Sequence, residues 1–329
     1  MRELDQYLPS RSNDLVNGAT GKIEIIRPFE ESFEVTKRIL FQPFVFEKWL
    51  IIGFAALLSG HFGGGGFNFP FGNFPPRRAK QNFVFPDWEQ WKPWLPIAIA
   101  VFGFFMLVLI VLFLWLRARG NFIFTDCIAR NRAAIAEPWR EYRQEGNSYF
   151  LFLSLVVFGS MAVFGLFCLS VLVPLGIFGQ GVSISDTMTP LFIILFALLF
   201  LAWICFVFFF GVTSYFMVPL MYVRRLRAVE AFRQVATLLL EDPGPFILFC
   251  LFGICLLIAT AMIAGIATCA TCCIAALPYV GTVILLPVYV CLRAFGLRFI
   301  RQFGPDYDVW AVVSNPPPVK ATEPPPLPS

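Results

Sequence analysis

Gly146 to Ser185 reads GNSYFLFLSLVVFGSMAVFGLFCLSVLVPLGIFGQGVSIS, 40 residues without one Asp, Glu, Lys or Arg, and Pro243 to Leu292 runs for another 50 in the same way. A water-soluble domain of this size does not leave such lengths uncharged, so the solvent for these segments is lipid. A bilayer core about 30 Å thick takes about 20 apolar residues per helix. The whole chain agrees: of its 329 residues, 58% are hydrophobic, 40 are Phe, and only 14% are charged, against roughly 25% in an average soluble domain.

The expected fold is all-α, a polytopic transmembrane helical bundle of about six spans with cytoplasmic amphipathic interfacial helices. The spans lie near 43–59, 95–116, 149–179, 190–223, 246–276 and 278–300. The first is the weakest. Only eleven uncharged residues separate Lys48 from Gly60, so it has to borrow Pro43 to Phe46 and let Glu47 and Lys48 snorkel towards headgroups. Five spans is the alternative. Residues 1–25 form a polar N-terminal tail without the apolar core of a secretion signal, residues 26–312 form the membrane domain, and 313–329 form a disordered Pro-rich tail with seven prolines between Asn315 and Ser329.

Charge sets the expected orientation. With six spans, the segments on the side of the termini hold 21 of the 25 Lys and Arg, and the other side holds only Arg77, Arg78, Lys80 and Lys92. The positive-inside rule then places both termini in the cytoplasm of a plasma (inner) membrane protein. Anionic lipid accounts for basic juxtamembrane segments, so the partners are membrane lipids and no nucleic acid is implied by the net charge of +4.

Three segments in front of spans carry helical periodicity. Phe29, Phe33 and Leu40 recur between Ile26 and Pro43; Val229, Phe232, Ala236 and Leu239 recur before Pro243; Phe124, Cys127, Ile128 and Ile135 face away from Asp126, Arg130 and Arg132 until Pro138. Each precedes a hairpin of spans, which suggests three repeated units, although any segment leading into a span tends to look amphipathic. Between the first two spans, Gly60 to Pro76 is a Gly/Phe loop without the Lys and Ser/Thr of a phosphate loop. Trp88, Trp91 and Trp94 follow it as an aromatic belt.

Catalytic, cofactor-binding and metal-binding residues are expected to be none. The single histidine, His61, reads as a surface residue of the Gly/Phe loop. Cys168, Cys205, Cys250 and Cys255 lie in apolar runs as small hydrophobes. Cys269, Cys272 and Cys273 contain a C-x-x-C spacing, but they fall on small-residue helix faces with Ala261, Ala264, Gly265, Thr268 and Ala276, suited to contact with neighbouring helices or other membrane proteins. Asp126 with Arg130, and Glu137, Glu141 and Glu145 with Arg140 and Arg143, read as a solvated surface. Among charged residues only Arg293, near the inner end of the sixth span, comes close to lying at depth, and it is placed to snorkel. The lack of ionisable residues at depth argues against proton- or sodium-coupled transport. Pro174, Pro219 and Pro287 interrupt three spans.

The stretches Arg117 to Asp126 (RARGNFIFTD), Glu137 to Tyr142 (EPWREY), Gly146-Asn147-Ser148, Val218 to Met221 (VPLM), Ala228 to Arg233 (AVEAFR) and Arg301 to Trp310 (RQFGPDYDVW) resemble uncharacterised bacterial six-span membrane proteins akin to the membrane domain beside some glycerophosphodiester phosphodiesterases. The resemblance covers most of residues 25–312 and implies no activity, since the phosphodiesterase proper is a separate soluble domain with paired histidines. Function is therefore expected to be a non-enzymatic scaffold or accessory role, the alternative being an uncoupled transporter or channel for a lipid or other apolar substrate.

Overall fold

The computed structural model describes residues 23–61, 94–172, 189–271 and 274–314, and within these every regular element is a helix. They are α1 (Ile26–Phe41), α2 (Phe46–Leu58), α3 (Leu95–Ala129), α4 (Ala136–Glu141), α5 (Arg143–Leu172), α6 (Thr189–Arg224), α7 (Ala228–Glu241), α8 (Pro243–Ala270), α9 (Pro278–Ile284), α10 (Leu286–Arg301) and α11 (Val309–Ser314). The Gly/Phe loop from Phe62, Trp88 and Trp91, Pro174, Cys272, Cys273 and the Pro-rich tail lie outside the described residues.

Four helices, α3, α5, α6 and α8, are long and apolar enough to cross a membrane. The pair α9 and α10, bent by 68° at Leu285, makes a fifth if it counts as one span. The bend falls just before Pro287, which occupies the first turn of α10, where its missing N–H costs nothing. Pro219 sits inside a continuous α6. The first expected span is only the 13-residue helix α2, which rises about 20 Å, short of the hydrocarbon thickness. It is also shut in by protein. Tyr279 Oη donates to the Leu50 carbonyl at 3.1 Å, Thr282 Oγ1 donates to the His61 carbonyl at 2.9 Å, and Ile52, Gly53, Ala55 and Ala56 are buried.

Burial divides the long helices by region. In the most apolar windows of α3, α5 and α6 no residue is buried, and in that of α8 only 11% are. Packing concentrates instead where α3, α6 and α10 carry their polar residues: Ala118 to Ala129, Phe216 to Tyr222, and Leu285 to Ile300 supply most of the core with α1 and α7. Lipid is as apolar as a leucine side chain, so spans gain little by hiding from it, whereas surface outside the hydrocarbon must be buried against protein. At that end Phe249, Phe295 and Phe299 form a close aromatic cluster with Phe216, Phe246 and Phe303; Phe249 and Phe295 stack at 5.0 Å and Phe249 and Phe299 approach to 4.6 Å.

The helices before the spans depart in register from expectation. In α7 the inward stripe is Ala228, Ala231, Val235 and Leu239, and Val229 is exposed. Several stripes of that sequence satisfy a 3.6-residue repeat, and the one with two alanines approaches its neighbours most closely. In α1, Ser32, Thr36, Ile39 and Leu40 are buried against α10 while Phe33 points outward. The middle segment is not a separate amphipathic element. α3 continues unbroken through Arg117 to Ala129, and Phe122 to Ile128 are buried on all sides.

Gly120 sets the approach of α2 to α3. A Cβ there would lie 2.3 Å from the Leu58 carbonyl carbon and 2.6 Å from the Ser59 nitrogen, both backbone atoms that cannot swing away. Gly120→Ala is expected to destabilise the protein by about 3 kcal/mol, the upper end for overpacking, read as a lowered Tm in detergent. Gly103→Ala, at a position with nothing within 4 Å, should leave it unchanged.

Candidate functional site

Asp126 is the centre of the largest polar cluster. It lies on the buried segment of α3 with 0% of its surface exposed. Its Oδ1 accepts from Tyr222 Oη at 2.9 Å and lies 3.1 Å from Arg130 Nε; Oδ2 accepts from Arg132 Nε at 2.9 Å. The local chain makes this geometry. Arg130 is one helical turn past Asp126, and α3 ends there because Asn131 takes a left-handed conformation (φ 51°), turning Arg132 back onto the carboxylate. Asn tolerates that region better than most residues. Lys48 Nζ from α2 donates to Asn131 Oδ1 at 2.8 Å and secures the turn.

Further ion pairs tie this centre to α4 and α5 and to the end of α6. Glu141 of α4 accepts from Arg130 Nη2 at 2.9 Å and from Arg225 Nη2, while Arg225 Nη1 lies 3.4 Å from Glu145 of α5 and Arg132 Nη1 donates to Glu137 at 2.6 Å. Arg225 ends α6 in the left-handed region (φ 54°), a cost of roughly 1–2 kcal/mol that its two carboxylates and a Tyr142 ring 3.9 Å away offset. Tyr142 also stacks on Tyr222 at 4.7 Å. Burial raises the Glu141 carboxyl, but Arg130 and Arg225 outweigh it and hold the group below the usual carboxylate range. Burial pushes the Tyr142 phenol up to about 12.

The expectation of a solvated surface here is therefore wrong for Asp126. Alternating charges at i and i+4 look alike on a wet helix and on one whose far face meets Tyr222, 96 residues later. Arg293 is corrected in the same direction. It does not snorkel: only 4% exposed, it donates through Nη2 to Thr125 Oγ1 at 2.9 Å and lies 5.3 Å from the Tyr215 ring centre. Tyr215 fits because α10 has Gly296 opposite it, where a Cβ would fall 2.2 Å from the phenol oxygen.

His61 is also not a surface loop residue. It lies against Tyr289 (ring centres 4.9 Å apart) and Phe124 (5.6 Å), and its Nδ1 is 2.8 Å from Ser59 Oγ. The Ser59 hydroxyl donates to the Ala56 carbonyl, so the imidazole N–H is on Nδ1. Burial first, then Arg293 and Arg117, depress its pKa to about 4.

The chemistry of the Asp126 cluster is that of a clasp. Its carboxylates are occupied by guanidinium groups, and an adjoining cleft, of about 660 Å³, is an open depression along Ala136, Glu137, Arg140 and Glu141. Among the described residues, no group of three or more His, Cys, Asp or Glu is placed to hold a metal ion. The described cysteines are all free; Cys127 is buried, and Cys205, Cys255 and Cys269 are exposed on the apolar helices.

The chain is all-helical among the described residues, and its four or five long apolar helices are compatible with a multi-pass membrane protein. Residues 23–309 match the model of a family of unknown function, DUF7544, and the chain belongs to that family. The match brings no link to the membrane domains that accompany glycerophosphodiester phosphodiesterases. No curated protein and no solved structure matches the chain.

Asp126→Asn leaves two guanidinium groups without their shared counter-charge and is expected to cost about 3–5 kcal/mol; Tyr222→Phe should cost about 1 kcal/mol, both read by thermal unfolding in detergent. His61 supplies a pH signature. Because its folded pKa is depressed, the unfolded chain takes up the proton first, so its contribution to stability is complete above about pH 6.5 and is lost as pH falls towards 4. The Tm of the wild type should fall across that interval, and His61→Phe should flatten the fall.

Proposed function

We propose that the protein is a non-enzymatic scaffold or accessory component of the plasma (inner) membrane, with both termini cytoplasmic and with lateral contacts to other membrane proteins. The observation that carries this reading is the uncovered state of the spans: the apolar windows of α3, α5 and α6 contain no buried residue. On α8, Ala261, Gly265 and Cys269 form a small-residue stripe that is exposed among the described residues, and a Cβ on Gly265 would have nothing within 4 Å. Such stripes allow close approach of a second helix in lipid. Six crossings, the number expected from the sequence, keep 21 of the 25 Lys and Arg on the side of the termini, which supports the orientation. The α1 and α7 helices then lie at the cytoplasmic boundary.

A second reading, an uncoupled carrier or channel for a lipid or other apolar substrate, draws on one feature. A groove of about 300 Å³ between α6 and α8 is lined by Phe208, Gly211, Val212, Tyr215, Phe216 and Phe249. Its lining is apolar apart from the Tyr215 hydroxyl.

Gly265→Ile fills the stripe at a position where the fold has room. Membranes solubilised into polymer nanodiscs should yield the wild type with a second membrane protein in fixed stoichiometry, and the Gly265→Ile chain with at least tenfold less of it. Equal recovery from both, together with lipid exchange between leaflets in liposomes holding the pure protein, would transfer the conclusion to the carrier.

A further inference from the structure

The arginines at the polar end fall into two groups. Arg130, Arg132, Arg224, Arg225, Arg298 and Arg301 each meet a carboxylate. Arg117, Arg119, Arg140, Arg143, Arg227, Arg233 and Arg293 meet none among the described residues, and of these Arg117, Arg119 and Arg143 are the cations at the ends of the apolar runs of α3 and α5. Arg119 is the unusual member. It is only 7% exposed, yet it has no counter-ion. Its guanidinium carbon lies 4.8 Å from the Trp115 ring centre and 5.0 Å from that of Trp139, Nη2 donates to Asn147 Oδ1 at 2.8 Å, and Nε is buried with no hydrogen-bond partner.

Two indole faces stabilise a guanidinium but supply no acceptor for its N–H groups. Burying an unneutralised cation costs several kcal/mol. The surroundings make the deficit larger, since the nearest charge acting on Arg119 is another cation, Arg143, at the start of α5. The site is built to keep the side chain there nonetheless: Gly146 leaves the space for it, where a Cβ would fall 3.2 Å from Arg119 Cγ. Arg143 and Asn147 are exposed beside it, so the site has a mouth. That mouth sits where the charge-free stretch of α3 gives way to Arg117, the depth at which lipid phosphates meet Arg and Trp side chains.

We propose that Arg119, Arg143 and Asn147, closed on two sides by Trp115 and Trp139, bind the phosphate group of an anionic membrane phospholipid. Arginine suits this ligand because its planar fork gives paired N–H donors to phosphate oxygens. The tryptophans hold the fork in place, and the acyl chains lie along the uncovered apolar faces of α3 and α5. The site is independent of the lateral partner proposed above and survives the loss of that reading.

The test uses the full chain in a neutral maltoside detergent, with Tm followed on addition of phosphatidylglycerol, diacylglycerol of the same acyl chains, or inorganic phosphate. Phosphatidylglycerol should raise Tm by about 3 °C, and diacylglycerol should not. The increment, taken for each variant relative to its own lipid-free Tm, should vanish in Arg119→Gln and fall by at least half in Arg143→Gln. A purely structural Arg119 would lower Tm equally with and without lipid and leave the increment intact, which overturns the site. Diacylglycerol acting as well as phosphatidylglycerol also overturns it. A full increment from inorganic phosphate alone, with none added by the lipid, keeps the phosphate chemistry and removes the lipid as its source.

Discussion

A carboxylate with no exposed surface has to be neutralised where it stands, and Asp126 is neutralised by Arg130, Arg132 and the Tyr222 hydroxyl. This constraint fixes more than one residue. Arg132 can return to Asp126 only if α3 stops and turns at Asn131; Tyr222 can reach it only if the end of α6 lies against α3; and Glu141 can share Arg130 and Arg225 only if α4 bridges the two. Loss of one member leaves its neighbours buried and unpaired, so the network resists piecemeal change. A second set of contacts does the same for α1 and α10, through Glu31 with Arg298 and the reciprocal bonds of Gln302 with Glu24.

The division of labour between the two regions follows from the solvents. Outside the hydrocarbon, helices are held by aromatic packing and by ion pairs whose geometry selects one arrangement. Inside it, the apolar windows of α3, α5 and α6 carry no buried residue and that of α8 few, and their side chains meet lipid at little cost. A protein built in this way is specified at one end and adaptable along its spans.

Much of the architecture was legible in the chain. The uncharged runs around Phe158 and Ile258 became α5 and α8, and the stops at Pro43 and Pro243 coincide with the ends of α1 and α7. What escaped was whatever depends on partners distant in sequence. The pattern of Asp126, Arg130 and Arg132 is the same for a wet surface and a buried clasp until Tyr222 is placed beside it. His61 stands just before Gly63 to Gly66 and so reads as part of a loop, yet Phe124 and Tyr289 lie against it. The short helix α2 reads as a span by composition, and only its contacts with Gly120, Tyr279 and Val283 reveal protein on its flanks. Arg119, flanked by Trp115 in its own helix, needed Trp139 and Asn147 from two later helices before its missing counter-ion became visible.

The central claim is that the molecule is fastened at its polar end and open along its spans. Distances between paired spin labels in lipid nanodiscs test it directly, on a background without other reactive cysteines. Labels at Gln144 of α5 and Thr237 of α7, both exposed near the clasp, should give one narrow distance distribution, and labels at Ile99 of α3 and Leu198 of α6, both exposed on the apolar windows, should give a broad one. Narrow distributions at both pairs, unchanged by Asp126→Asn, would contradict the account.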